Sequence, residues 1–549
     1  DDALVMVRNS KFAALRPEFF VTNQTHGSTV PLPTSPVDGY AYARAELIYL
    51  YARSDTAAPG SIGSLLTLHG FIRQDTGAVT LNTLYFNQDG AQTNTNNGTF
   101  RVVTVALRSK DVEVDSDPNA AGGGEPGFEG NLDNDLLSGG GILLMRNPDF
   151  ESGDRDWTKS AGFINPYVDG VYGDEFMWRK SQIPDFPAYV EAIKRIAANE
   201  EFKNKKVHGW TFGKKMYTEP AGKELLQTFI DSGAKIAWEY YAGERDTAAV
   251  LRKELYGRLG QTIKGWEKSI PGMVKSIVFT IGNFSAPPHS INSDPHVDFK
   301  VHMDEQFNYL ANAPECAGLF GIMGYKARYA DEEIVRWTGR LFRHYCIEGK
   351  RNLLSDELGF KYVPGHITNA DFDDGLEDWT VTAAAPDSVR AETISGLSAM
   401  LGRFMTPEHG DNHLWTKRFA DQPNQVSQEI KNLTPGKLYS AKLYVADYQD
   451  YVKGESVRKK LAVSLNIDNV DMITEKCLVR EVKGIRHACV GTFKGKAPPW
   501  MNHYRLVFRA KGTTAKLTIS DWTDETTPGG AIGQEILYNF VEVQPYIED

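Results

Sequence analysis

The sequence predicts a multidomain protein: a β-rich N-terminal domain, an α/β centre and a C-terminal β-sandwich. Two patterns carry this reading. From Val168 to Leu354, short apolar runs alternate with stretches whose apolar residues recur every three or four positions, as in parallel βα units. On either side, apolar and polar residues alternate over short runs separated by turn residues, as in antiparallel sheets. At 549 residues the chain also exceeds what one core can organise.

Residues 1–112 form the β-rich domain. Ser64–Gln74, Ala78–Asn87 and Thr99–Arg108 are rich in Val, Leu, Thr and Phe, and the Asn-rich run before Thr99 ends in the sharp Asn97-Gly98 turn. Ala43–Arg53 reads equally as a short helix or a long strand. Residues 113–141 are acidic, carry two Gly-Gly-Gly runs and lack apolar periodicity, which is the composition of a linker.

The α/β region spans residues 142–365. Its expected strand cores are Asp169–Tyr172, Val207–Phe212, Lys235–Tyr240, Ser276–Ile281 and Gly318–Met323. The helices between them show apolar stripes such as Tyr189, Val190, Ile193 and Ile196, or Leu225, Leu226, Phe229 and Ile230 with Gly233 as the stop. Five such units make either an open parallel sheet or the back part of a TIM-barrel-like fold that is short of its full eight units. Residues 366–549 return to β pattern, with alternation at Ala441, Leu443 and Val445 and a closing strand around Ile536–Val543, a size that suits a jelly roll.

One phrase occurs twice. Asn147-Pro-Asp149-Phe150 through Asp156-Trp157-Thr158 recurs 222 positions on as Asn369-Ala-Asp371-Phe372 through Asp378-Trp379-Thr380. The second copy is expected to open the sandwich, with Phe372 and Trp379 buried; ligand contacts would then fall to more exposed aromatics such as Trp415, Trp500 or Trp522.

Composition removes several classes of function. A net charge of -11 and a pI near 5.7, without a Lys/Arg run, argue against nucleic acid as a partner. No window approaches the apolar length of a membrane span. No signal peptide is visible, although an opening at Asp1 without Met is compatible with a processed chain; a secreted or cell-surface location is expected. Cys477 and Cys489 flank an expected hairpin turning at Gly484, where a disulfide is geometrically possible. No cofactor or metal is expected. The chain has no zinc-type Cys or His spacing, and His289, His296 and His302 with Asp294 and Asp298 match no ligand rule.

The chemistry-bearing residues cluster at the carboxyl ends of the expected parallel strands. Val168–Phe176 reads Val-Asp-Gly-Val-Tyr-Gly-Asp-Glu-Phe, an apolar body ending in the paired acids Asp174 and Glu175. Glu239 ends a second strand among aromatics, with Glu244 shortly after. Two carboxyl groups on nearby strand tips can divide the work of breaking a glycosidic bond, one as acid and one as nucleophile or base. Trp178, Trp210, Trp238, Tyr240 and Tyr241 could stack on sugar rings; His208 and Tyr325 are further candidate substrate contacts. The plain alternative is that Asp174 caps a helix, Glu239 meets a basic residue and the aromatics are core.

Taken together, these features resemble a (β/α)₈ glycoside hydrolase followed by a carbohydrate-binding module. The phrases Asn369–Thr380 and Gln425–Tyr439 are similar to modules of the family 4/9 type. The resemblance implies hydrolysis of a poly- or oligosaccharide, with Glu175 as general acid and Glu239 as partner carboxylate. The Ser276–Ile281 strand departs from the pattern, ending in Gly282-Asn283 with no acid. That departure supports a rival reading, a non-catalytic glycan-binding or structural surface protein on a degenerate barrel.

Overall fold

The computed structural model describes the chain from Phe163 to Ile547 except residues 164–169, 174–175, 181, 326–329, 331, 404–409, 456 and 485–498, together with the backbone of nine strands before Phe163. The chain divides into two compact units. The first holds residues 1–242, 253–283 and 306–351; the second holds 243–252, 284–305 and 352–549.

The first unit begins with Val7–Asn9 (β1), Val21–Asn23 (β2), Ser28–Val30 (β3), Tyr40–Arg53 (β4), Ile62–Arg73 (β5), Val79–Leu81 (β6), Gly98–Val103 (β7) and Asp115–Ser116 (β8). Six of them form an antiparallel sheet in the order β1-β6-β5-β4-β7-β8, while β2 and β3 pair as a hairpin. The ambiguous Ala43–Arg53 stretch is therefore a strand. Apart from β8, the Gly-rich stretch 113–141 lies outside the described residues, as does the first copy of the repeated phrase.

A second sheet holds Leu143–Met145 (β9), Gly170–Gly173 (β10), Lys206–Thr211 (β11), Ile236–Glu239 (β12), Ile277–Gly282 (β13) and, after the separate two-stranded pair Ser285–Ala286 (β14) and His289–Ser290 (β15), Gly321–Tyr325 (β16). All five pairings are parallel and the order follows the sequence, so each unit lays its strand beside the one before. This is the advance that builds a barrel, not the reversal of a doubly wound sheet. Among the described residues no pairing joins β9 to β16, so a closed TIM barrel is not shown. β9 is a strand that the apolar pattern did not reveal.

Helices follow the strands where periodicity placed them. Phe186–Ala198 buries Val190, Ile193 and Ile196, and Pro220–Asp231 buries Leu225, Leu226 and Phe229. Gly233, at φ +75°, ends the latter after its N–H bonds the Ile230 carbonyl. Leu255, Leu259 and Ile263 step by four residues, which on a regular helix rotates the stripe by about 40° each time. A π-helical turn at Leu255–Leu259 absorbs that drift before Gly260–Ser269.

The strand bodies are buried, and glycine sets their distance from the helices. A Cβ on Gly209 would lie 2.5 Å from Phe229 Cε2, and Phe229 is itself fully buried against Phe176. Gly209→Ala is accordingly expected to cost about 1–3 kcal/mol, read as a lower unfolding midpoint; an unchanged midpoint would show that the layer can yield there.

The second unit is a β-sandwich. Its small sheet runs β17-β20-β26-β22, from Thr380–Thr382 (β17), Gln425–Ile430 (β20), Ala515–Ser520 (β26) and Ser464–Asp468 (β22). Its large sheet runs β18-β19-β27-β21-β25-β23, with β24 also on β25. These strands are Val389–Thr393 (β18), Asn412–Lys417 (β19), Glu535–Pro545 (β27), Leu438–Asp447 (β21), Trp500–Ala510 (β25), Val470–Met472 (β23) and Leu478–Lys483 (β24). Alternate residues of both sheets meet in one core, including Val426, Ile430, Leu517 and Ile519 from one and Leu414, Leu443, Val445 and Tyr538 from the other.

Phe372 and Trp379 join that core, their rings 5.2 Å apart, as expected. The phrase holding them is a string of turns, and not an opening strand. Asn369 is its hub: its side-chain amide donates to the Gly375 and Glu377 carbonyls, and its own carbonyl accepts from Trp379 Nε1 at 3.0 Å.

Trp415 and Trp522 are buried rather than available to a ligand, leaving Trp500 half-buried beneath the Arg458 guanidinium. β24 pairs with β25, Lys483 opposite Trp500, and the second arm of the hairpin expected around Gly484 lies outside the described residues. Cys477 is a free thiol whose sulfur accepts from the Val507 N–H; Cys489 lies outside the described residues.

Candidate functional site at the strand tips of the parallel sheet

Side chains on a strand alternate between faces, so the tip sequence Ile236-Ala-Trp238-Glu239-Tyr240-Tyr241 divides in two. Trp238 meets Trp266 at 4.9 Å and Tyr217 at 5.7 Å, both on helices. Tyr240 lies 5.9 Å from Phe279, and its hydroxyl donates to Glu254. Trp238 and the half-buried Tyr240 therefore face the helical layer. Glu239 and Tyr241 occupy the opposite face.

On that face the structure brings four of the candidates together. Trp210 Nε1 donates to Glu239 Oε2 at 3.0 Å. The Trp210 ring meets the Tyr325 ring edge-on at 4.8 Å, and Tyr325 stacks on Tyr241 with only 2° between ring planes. Trp210 stands on β11 and Tyr325 on β16, three strand spacings apart, or about 14 Å on a flat sheet. Their contact requires the sheet to curl toward Glu239, as a barrel wall does. Glu239 and Tyr241 keep partial exposure, whereas Trp210 and Tyr325 are buried.

Register adds a residue that composition did not single out. Thr280 is paired with Glu239 across β12 and β13, so both point to this face. Its Oγ1 is buried and takes no hydrogen bond among the described residues. The signal was available in principle, because Thr280 falls at the alternation position that matches Glu239.

Four further candidates are not among these contacts. Asp174 and Glu175 fall outside the described residues, immediately after β10, which is separated from β12 by β11 alone. Trp178 is half-buried in the following loop, edge-on to Phe186. His208 is buried two residues before Trp210, where its Nδ1 accepts the Lys235 N–H at 2.8 Å. Burial, with Lys235 and Lys206 close by, lowers its pKa to about 3. That is the setting of a histidine kept neutral and held by the backbone N–H of Lys235.

This setting has a defined pH consequence. The folded pKa lies below the ordinary 6.5, so between pH 6.5 and 3 the unfolded chain binds a proton that the folded chain refuses. The contribution of His208 is complete above pH 6.5 and is lost as pH falls toward 3, by at most about 1.4 kcal/mol per pH unit. His208→Asn, whose Oδ1 can still accept from Lys235, should flatten that part of the stability–pH curve by about one proton. An identical slope in wild type and variant would remove His208 as its source.

Among the described residues, no three His, Cys, Asp or Glu side chains form a group able to hold a metal ion. No described helix is long and apolar enough to cross a membrane.

No family model matches the chain, and no curated protein matches it. Among solved structures, the carbohydrate-binding module TmCBM61 in complex with β-1,4-galactotriose aligns at 14% identity and a TM-score of 0.19, over 33% of this chain and 97% of that one. A CBM4 structure aligns at 12% identity and 0.17, over 33% and 99%. The enzymatically active domain of tailspike protein 4 of bacteriophage CBA120 aligns at 10% identity and 0.22, over 62% of this chain and 34% of its own. Overlaps of this size establish neither a shared fold nor a shared activity. The functional reading rests on the chain's own residues.

Proposed function

We propose that the chain acts on a poly- or oligosaccharide at the face of the parallel sheet that carries Glu239. The observation that supports this is the Glu239–Trp210–Tyr325–Tyr241 arrangement: a carboxylate at a strand tip, held by an indole N–H and flanked by aromatic rings. Aromatic faces suit sugar rings, and a carboxylate beside them can attack an anomeric carbon or activate water. The N–H donated to one oxygen stabilises the ionised form, which suits a nucleophile or base. In this reading Glu239 is the partner carboxylate and Glu175 the general acid, with Asp174 beside it. The sandwich is read as carbohydrate-binding in type and the protein as secreted or displayed at a cell surface.

One observation favours glycan binding without cleavage. β13 offers Thr280 and Gly282 to the Glu239 face, while Asn283, whose Nδ2 donates to Thr338 Oγ1, is buried on the other side, so this tip brings no acid to the face where one would serve hydrolysis. A polysaccharide panel separates the two readings by scoring retention and new reducing ends together. Cleavage supports the enzyme, retention without cleavage supports the binding protein, and neither outcome on any glycan overturns both.

A further inference from the structure

We infer that Thr280 holds the hydrolytic water of the Glu239 face, so that Glu239 is a general base and cleavage inverts the anomeric carbon. This deepens the proposed function and rests on its enzymatic form.

Register defines the place. On the face of Glu239, β12 brings Ala237 and Glu239, and β13 brings Thr280 and Gly282. Ala237 is the partner of Trp210, and Gly282 that of Tyr325, so the position beside each ring is small or bare. The two rings lean inward and meet at 4.8 Å. Glu239 and Thr280, paired with each other, are the polar side chains between the strands that bear them. On its other side Thr280 pairs with Met323, which offers no strong hydrogen-bonding group.

Burial sets this hydroxyl apart. Thr280 is 0% exposed, and its Oγ1 has no partner among the described residues. The other buried threonines of this unit each donate to a carbonyl: Thr211 to Phe176, Thr228 to Glu224 at 2.8 Å and Thr338 to Ile334 at 2.7 Å. Valine would fill the same space without a desolvated hydroxyl, so packing does not account for Thr280. A buried polar atom that the protein leaves over is the usual mark of an internal water.

The face supplies what such a water needs. Adjacent strands stand about 4.8 Å apart, a gap that one water bridges with a bond of about 2.8 Å to either side. Glu239 Oε2 takes the Trp210 N–H, and a carboxylate accepts more than one donor. A threonine hydroxyl accepts as well as donates. A water giving one hydrogen to Glu239 and the other to Thr280 Oγ1 turns its lone pair away from both. That lone pair meets a sugar entering where Glu239 and Tyr241 keep exposure. In the reaction the water oxygen bonds to the anomeric carbon as the glycosidic C–O bond breaks. The water's proton passes to Glu239, and the leaving oxygen takes one from the general acid. Attack opposite the leaving group inverts the centre.

The full chain is assayed on soluble xylan, mannan, galactan and mixed-linkage β-glucan, with the anomer first formed read by NMR. An inverted anomer is expected; a retained one would overturn the inference and leave the proposed function standing. Thr280→Val removes the acceptor and keeps the shape. Its kcat should fall at least about tenfold with KM within about twofold, because the contacts of the sugar itself are untouched. An unchanged kcat would overturn the water site. Should Thr280→Val also lower the unfolding midpoint, Thr280→Ser decides, since it keeps the hydroxyl and loses the methyl. Recovery of most of the lost kcat supports the site, and a loss equal to that of Thr280→Val overturns it. A wild type that cleaves none of the four glycans removes the enzymatic reading, and this water with it.

Discussion

Replacing Asp371 with alanine is expected to destabilise the sandwich unit by about 3–5 kcal/mol, because it strands a buried guanidinium. Asp371 Oδ2 accepts from Arg403 Nη2 at 2.6 Å, and Oδ1 accepts the Phe540 N–H at 3.0 Å. Arg403 is fully buried, and its Nε and Nη1 find no acceptor among the described residues. Its guanidinium lies 4.8 Å from the Phe540 ring centroid, which returns a little of the lost interaction.

Burial raises the Asp371 pKa against the pull of Arg403, so the intact pair adds little over a well-packed apolar one. Losing one partner is the costly step. Asp371→Ala should therefore unfold at markedly lower denaturant, whereas Asp371→Leu with Arg403→Met should regain most of the loss. A single variant within about 1 kcal/mol of wild type would sink this account, as would a double variant no better than the single. Asp371 is the third residue of the repeated phrase, so the phrase marks a structural pairing and not a ligand site.

Much of the architecture was legible because strand and helix periods differ. The alternation of apolar runs with helical stripes located five parallel strands, and glycine stops such as Gly233 ended helices where expected. β9 was missed because three residues, Leu143–Met145, behind a Gly-rich stretch give no period to read. At the site, residue type alone grouped Trp238, Tyr240, Glu239 and Tyr241 as one aromatic tip. Strand alternation separates them, and it also selects Thr280. The positions of Lys442, Glu542 and Gln544 were not legible. Charges at alternate positions read as a solvated face, whereas Lys442 and Glu542 are a buried pair 2.7 Å apart, and the bulge where β27 shifts register on β21 between Lys442 and Tyr444 leaves no mark in composition. What covers that face lies some 240 to 250 residues away in sequence, as the contacts of Gln544 with Lys300 and of Glu542 with Asn292 show.

Glu239→Gln is expected to lower glycan cleavage at least about a hundredfold while leaving glycan retention within a few-fold. The amide keeps the shape of the carboxyl group and can still accept from Trp210 Nε1, so the contact with the aromatic wall should persist. What it loses is the negative charge, and with it the capacity to attack an anomeric carbon or take a proton from water. Glu175→Gln should show a comparable loss by a different route: a leaving group that needs no protonation should restore its rate and leave Glu239→Gln impaired. The separation of the two carboxyl groups then fixes stereochemistry, with about 5–5.5 Å giving retention and about 6.5–9.5 Å leaving room for an inverting water. β10, which ends at Gly173, and β12 are next-nearest neighbours, roughly 10 Å apart at the backbone. Reducing-end release and the anomer first formed are the measurements. Near wild-type turnover in Glu239→Gln would take the carboxylate out of the mechanism and leave the aromatic face as a binding surface alone.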